Sequence, residues 1–145
     1  MKAPRAAALS MLVLILALAA CSPSLPQIER VVLITLDTTR ADRIGCYGYG
    51  EAHTPQLDAL ADQGVLFEHA VSTVPTTLPA HSTIFTGLYP QDHGVRYNLM
   101  YELGEEMVTL PELLQEQGFK TAGFPATHIL HERFGLNQGF DNWSQ

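Results

Sequence analysis

Arg30-Val31-Val32-Leu33-Ile34-Thr35-Leu36-Asp37 is dense in β-branched residues, shows no polar alternation and ends on an acid. An unbroken apolar run of this length predicts a strand buried on both faces of a parallel sheet. Working outward, Thr54-Pro55 opens a helix over Gln56–Gln63, with Leu57, Leu60 and Ala61 on one face and Gly64 as its stop. Val65–Val71 reads as a second strand, and Ser72–Pro79 as a loop carrying prolines at 75 and 79. Ala80–Thr86 is a short helix closed by Gly87. Thr109-Leu110-Pro111-Glu112 combines an N-cap, an early proline and an acid at the third helical position, which starts a helix running to Gln117 before Gly118; Phe119–Phe124 follows as a third strand. Strands alternating with helices predict an α/β sandwich with a mostly parallel central sheet, whose functional groups gather at the carboxyl ends of the strands.

Composition supports a packed domain. Hydrophobic residues make up 46% and charged residues 16% of the 145, which excludes a disordered chain. Part of the apolar content stands apart: Lys2 and Arg5 precede a run from Ala6 through Ala20 broken only by Ser10, the pattern of an export signal. The run is too short for a membrane span, which needs about 20 mostly apolar residues. Its end, Leu18-Ala19-Ala20-Cys21, resembles the lipobox of bacterial lipoproteins, which implies cleavage after residue 20 and a lipid on Cys21. Residues 21–29 then form a tether, and the chain is expected in the cell envelope, anchored to a bacterial membrane and facing the periplasm or exterior. An ordinary signal peptide or an uncleaved anchor is the alternative reading.

With residues 1–20 removed, six basic residues face fifteen acidic ones, a net charge of −9. Nucleic acid is therefore not an expected partner, and an anionic ester is accepted only where the site supplies a cation locally. Cys46 is then the remaining thiol, so no intrachain disulfide is expected.

Two polar clusters follow the predicted strands: Asp37-Thr38-Thr39-Arg40-Ala41-Asp42, and Thr76-Thr77-Leu78-Pro79-Ala80-His81-Ser82-Thr83. In a parallel sheet both face one edge. A carboxylate ending a buried strand is costly unless paired or bound to a cation, so Asp37 reads either as a hard-metal ligand or as a turn cap. Thr77 lies where backbone N–H groups and the positive end of a helix hold an anion, and it reads as a cap or as a metal-activated nucleophile.

The ordered series Val32 to Tyr49, Thr54-Pro-Gln-Leu-Asp-Ala-Leu-Ala-Asp-Gln-Gly64, Thr77-Leu-Pro79-Ala-His81-Ser-Thr-Ile-Phe-Thr86-Gly87, Tyr89-Pro90-Gln-Asp-His93-Gly94 and Phe134-Gly-Leu-Asn-Gln-Gly-Phe140-Asp resembles the N-terminal part of the sulfatase family, within the alkaline phosphatase superfamily. The resemblance implies an alkaline-phosphatase-like α/β fold, incomplete over residues 30–145, and a divalent metal ion (calcium, magnesium, manganese or zinc) held by Asp37 and Thr77. It implies hydrolysis of sulfate or phosphate esters, with Thr77 as nucleophile and His81, in place of the family's arginine, hydrogen-bonding the ester or the nucleophile. A helix-surface or capping role is the alternative for His81. Thr38 stands where sulfatases usually carry a second acid, and Thr77 where they carry the cysteine that is oxidised to formylglycine; threonine is the nucleophile in related phosphodiesterases and phosphoethanolamine transferases of the superfamily, so the resemblance leaves phosphoryl transfer open to Thr77 beside sulfate-ester hydrolysis. Arg40, Arg96, His93 and Asn98 resemble positions near the site, with surface or packing roles equally open.

In that family the remaining metal ligands lie far downstream. The expectation is therefore an N-terminal fragment, inactive alone, that completes its site only with a further C-terminal part. The competing expectation is a non-catalytic lipid-anchored binding or remnant lipoprotein.

Overall fold

The computed structural model describes residues 28–144; the signal reading for residues 1–20 and the lipidation reading at Cys21 lie outside the described residues. The chain divides after Leu36 into two units. In the first, residues 28–36 are exposed and carry no β-ladder. The second, from Asp37 onward, holds the elements described below.

Four α-helices occur among the described residues of this unit: α1 (Pro55–Gln63), α2 (Thr77–Thr86), α3 (Pro90–His93) and α4 (Leu110–Glu116). Two short strands, β1 (Ala122–Gly123) and β2 (Asn142–Trp143), pair in parallel, Ala122 opposite Asn142 and Gly123 opposite Trp143. Parallel neighbours need a long crossover. Here it contains the 3₁₀ turns His128–Leu130 and Glu132–Phe134.

The punctuation expected from the sequence sets the helix ends. Pro55 is the first residue of α1 and Gly64 its C-cap. Gly87, at φ 70°, closes α2 by donating its N–H to the Thr83 carbonyl at 2.8 Å. At α4 the backbone N–H of Thr109 donates to Glu112 at 2.7 Å, and the Thr109 hydroxyl donates to the same carboxylate at 2.8 Å. One boundary differs: α2 starts at Thr77, inside the segment expected to be loop. Pro79 does not stop it, because a proline in the first turn removes only an N–H that has no helical partner.

Two of the expected strands are not strands. Neither 30–37 nor 65–71 joins a ladder among the described residues. Val32 is 78% exposed, Ile34 75%, Val65 81% and Val71 89%. An apolar run becomes a strand only when adjacent chain takes its N–H and C=O groups and another layer covers its side chains. The third expected strand, over 119–124, contracts to β1 for the same reason.

The core of the second unit is formed by Leu78, Val95, Leu103, Leu130, Phe134 and Leu136, with Phe85, Met107, Ile129 and Trp143 packed against it. Residues 109–141 are stitched to one another by polar groups. Thr109 Oγ1 lies 3.1 Å from the Gln138 carbonyl, Thr121 donates its hydroxyl to the Gly139 carbonyl at 2.7 Å, and Asp141 accepts the Thr121 N–H at 3.0 Å. That N–H is the main reason the Asp141 carboxyl titrates below its ordinary range.

Gly139 sits at φ 76°, and a β-carbon there would overlap the backbone of Glu112 at the start of α4. Gly139→Ala is therefore expected to destabilise the fold by more than the roughly 1 kcal/mol of a glycine-to-alanine exchange alone. Urea titration followed by circular dichroism measures this.

Candidate active site

The polar segments around Asp37 and Thr77 meet in the folded chain. Thr77 is the first residue of α2, and its Oγ1 donates a hydrogen bond to Asp37 Oδ2 at 3.0 Å across 40 residues of sequence. The other carboxylate oxygen, Asp37 Oδ1, accepts the N–H of Thr38 at 2.9 Å. Both oxygens of Asp37 are thereby oriented. Asp37 is exposed and Thr77 half-buried, so the pair is open to solvent on one side.

Local chemistry explains why α2 presents Thr77 at the rim. Leu78 and Pro79 are buried beneath it, with Leu78 fully enclosed in the core, and this pins the first turn. The N-cap, Thr76, makes no side-chain bond to the helix. The Leu78 N–H is instead capped from a distance by Asn98 Oδ1 at 2.8 Å. Ser82 and Thr86 bond back to the carbonyls of Leu78 and Ser82, so these two hydroxyls are absorbed along the helix itself.

His81 is buried, 7% exposed, and its Nδ1 lies 2.8 Å from the Thr77 carbonyl. A carbonyl only accepts, so Nδ1 carries the hydrogen. The ring thus grips the backbone of the residue expected to be the nucleophile. His93 is buried on the neighbouring helix, between Thr83 and the core. Its Nδ1 accepts the Val95 N–H at 3.2 Å, so in the neutral ring Nε2–H donates to Thr83 Oγ1 at 3.1 Å. Arg40 lies on the surface and forms a two-pronged pair with Asp42 at 2.9 and 2.6 Å. Arg96 is exposed.

Burial is the main cause that lowers the His93 pKa from its ordinary 6.5, against smaller raising effects from the backbone and Asp92. The unfolded chain then binds more protons than the folded one, so stability is complete above about pH 6.5 and falls as pH drops through 6.5 toward the lower folded value. Urea midpoints compared at pH 7.5 and pH 5 are expected to show this loss, and His93→Gln to show a smaller one.

Among the described residues no three His, Cys, Asp or Glu side chains converge as a metal cluster. The Asp37 carboxylate and the Thr77 hydroxyl are nevertheless hard oxygen donors sharing one point. They fit a hard divalent cation as part of its shell, which takes roughly six to eight oxygens. No helix among the described residues is long and apolar enough to cross a membrane.

The sulfatase family model matches residues 29–145. The chain is 30% identical over 132 residues to an N-acetylglucosamine-6-O-sulfatase of Bacteroides thetaiotaomicron, covering 89% of this chain and 23% of that protein. It is 34% identical over 124 residues to an ulvan-active sulfatase of Formosa agariphila, covering 81% of this chain and 24% of that one. The chain thus spans about a quarter of the length of these relatives. Among solved structures, the phosphonate monoester hydrolase of Agrobacterium radiobacter superimposes with a TM-score of 0.63 at 28% identity, over 73% of this chain and 23% of that one. These likenesses bear out the α/β, alkaline-phosphatase-like class read from the sequence. Members of this group generally depend on a metal ion. Family model, relatives and solved structure agree: the chain belongs to the sulfatase family, within the alkaline phosphatase superfamily.

Proposed function

We propose that this chain supplies the nucleophile-bearing part of a metal-dependent hydrolase of sulfate or phosphate esters. The observation that carries the reading is the 3.0 Å hydrogen bond from Thr77 Oγ1 to Asp37 Oδ2. A hydroxyl at the first turn of a helix, held by a carboxylate from a distant segment, is the arrangement a nucleophile needs. The relatives named above act on sulfate and phosphonate esters by their names, which supports the substrate class.

Asp37 holds the Thr77 hydroxyl hydrogen, which leaves the oxygen's lone pairs for an incoming ester. The Thr77 oxygen forms a bond to sulfur or phosphorus, its proton passes to Asp37 Oδ2, and the ester alkoxide leaves and takes a proton from solvent. Water then attacks the sulfur or phosphorus and gives up a proton to solvent, the bond to the Thr77 oxygen breaks, and Asp37 returns its proton to that oxygen as sulfate or phosphate is released. The α2 N-terminus favours the anionic group electrostatically. His81, through its bond to the Thr77 carbonyl, fixes the turn that carries the nucleophile.

Asp37 and Thr77 would hold a divalent cation, with water, ester and further protein oxygens completing its shell. When bound, such an ion lowers the hydroxyl pKa and offsets charge on the ester oxygens. Threonine, which has no thiol to oxidise, favours phosphoryl over sulfuryl transfer. A lipid on Cys21 would tether the domain at a bacterial envelope membrane.

The test uses the product of the complete reading frame that encodes this chain, supplied in turn with calcium, magnesium, manganese and zinc. Turnover of an aryl phosphodiester or aryl sulfate that Thr77→Ala removes supports the proposal. Undiminished turnover in Thr77→Ala overturns the mechanism, and no turnover with either substrate favours a non-catalytic binding role.

A further inference from the structure

We propose that Thr38 is a positioning residue, whose left-handed backbone aims the Asp37 carboxylate at the Thr77 hydroxyl. The inference rests on reading Asp37 and Thr77 as the site.

Thr38 adopts φ 58°, a region otherwise reached among the described non-glycine residues by Leu99 at φ 64°. For a β-branched side chain this conformation is strained, because the β-carbon meets the carbonyl oxygen that follows. Such strain persists only where the surroundings impose it. Both sides of Thr38 are anchored. Downstream, the 3₁₀ turns Ala41–Arg43 and Gly45–Tyr47 lead onto α1: the Gly45 N–H donates to Thr54 Oγ1 at 3.0 Å, and the Cys46 N–H to Asp58 Oδ1 at 2.7 Å. Upstream, the peptide joining Asp37 to Thr38 carries the N–H that holds Asp37 Oδ1 at 2.9 Å, while Thr77 holds Oδ2 at 3.0 Å.

The φ of Thr38 is the joint between these anchors. With the 41–47 segment fixed on α1, an ordinary negative φ would swing the Asp37–Thr38 peptide and its carboxylate to another direction. The position therefore exchanges local stability for the aim of the carboxylate. Nothing in the turn itself calls for threonine, since glycine and asparagine enter this region at lower cost.

The test is NMR of the 145-residue chain without metal or ester, reading the carbon resonance of the Asp37 carboxyl with and without a Thr77→Val substitution. In the parent, and in Thr38→Asn, which tolerates the left-handed region, Thr77→Val is expected to shift that resonance. In Thr38→Pro, whose φ is held near −65° and whose N–H is absent, it is expected to leave the resonance unmoved while the remaining amide spectrum stays folded. A folded Thr38→Pro chain that still answers to Thr77→Val overturns the proposal.

Should Thr38→Pro not fold, Thr38→Asn decides. Relief of strain is expected to raise the folding equilibrium constant several-fold in a urea titration, and an unchanged or lowered constant overturns the inference. Turnover enters neither measurement, so a failure of the hydrolase reading appears only in the ester assays and a failure of this inference only here.

Discussion

Thr77→Ala, in the complete reading-frame product, is expected to lower ester turnover by roughly a thousandfold or more, the scale on which removal of a covalent nucleophile acts. The substitution deletes the atom that forms the new bond and leaves Asp37 without its 3.0 Å hydrogen-bond donor. Thr77→Ser keeps the hydroxyl and is expected to retain part of the activity. Because Thr77 is half-buried at the rim while Leu78 beneath it supplies the packing, the alanine variant should keep a near-parental unfolding midpoint. Loss of turnover with an unchanged midpoint separates chemistry from folding. Steady-state rates and urea titration on one preparation measure both.

The largest effect on stability is expected from Leu78→Ala, at about 2–5 kcal/mol. Leu78 is fully buried against Val95, Leu103, Leu130, Phe134 and Leu136, and the alanine would leave a cavity at the centre of that cluster. The consequence reaches the site, because the backbone N–H of Leu78 is the group that Asn98 caps at 2.8 Å and the preceding residue is Thr77. A domain is stable by only about 5–15 kcal/mol in total, so the variant sits close to unfolding. Denaturant titration gives the size of the loss. A change below about 1 kcal/mol would show that the core does not anchor α2. Leu136→Ala, 1% exposed in the same cluster but remote in sequence from the site, serves as the comparison: it is expected to cost a similar amount without touching the residue beside the nucleophile.

The segments that meet at Asp37 and Thr77 were easier to pick out than the sheet. Each residue was open locally to a capping role or a chemical one, since threonine at a helix start and an acid at a turn are ordinary caps, and their place in the family order gave the expected roles. That their side chains bond to each other is geometry, and the structure shows it. The partners of His81 and Asn98 were not readable: each bonds a backbone group of α2, and backbone groups carry no sequence signature. The left-handed φ of Thr38 was equally hidden, since the residues that announce such a turn are glycine and asparagine, and threonine is neither.

What the sequence determined by itself is local. Gly64 stands at the end of α1, and Gly87 and the Thr109–Glu112 pair end or begin helices through bonds within a few residues, so their effect needs no distant partner. The apolar runs at 31–36 and 65–71 carry the composition of buried strands, but composition cannot provide the neighbouring chain that a ladder requires, and among the described residues they join none. Only the tertiary structure brought residue 37 to residue 77 and turned the two oxygens of one carboxylate toward different donors. Contacts across such a span depend on how the whole unit packs, because the hydrophobic burial that brings the segments together is not directional, whereas the hydrogen bond that joins them is.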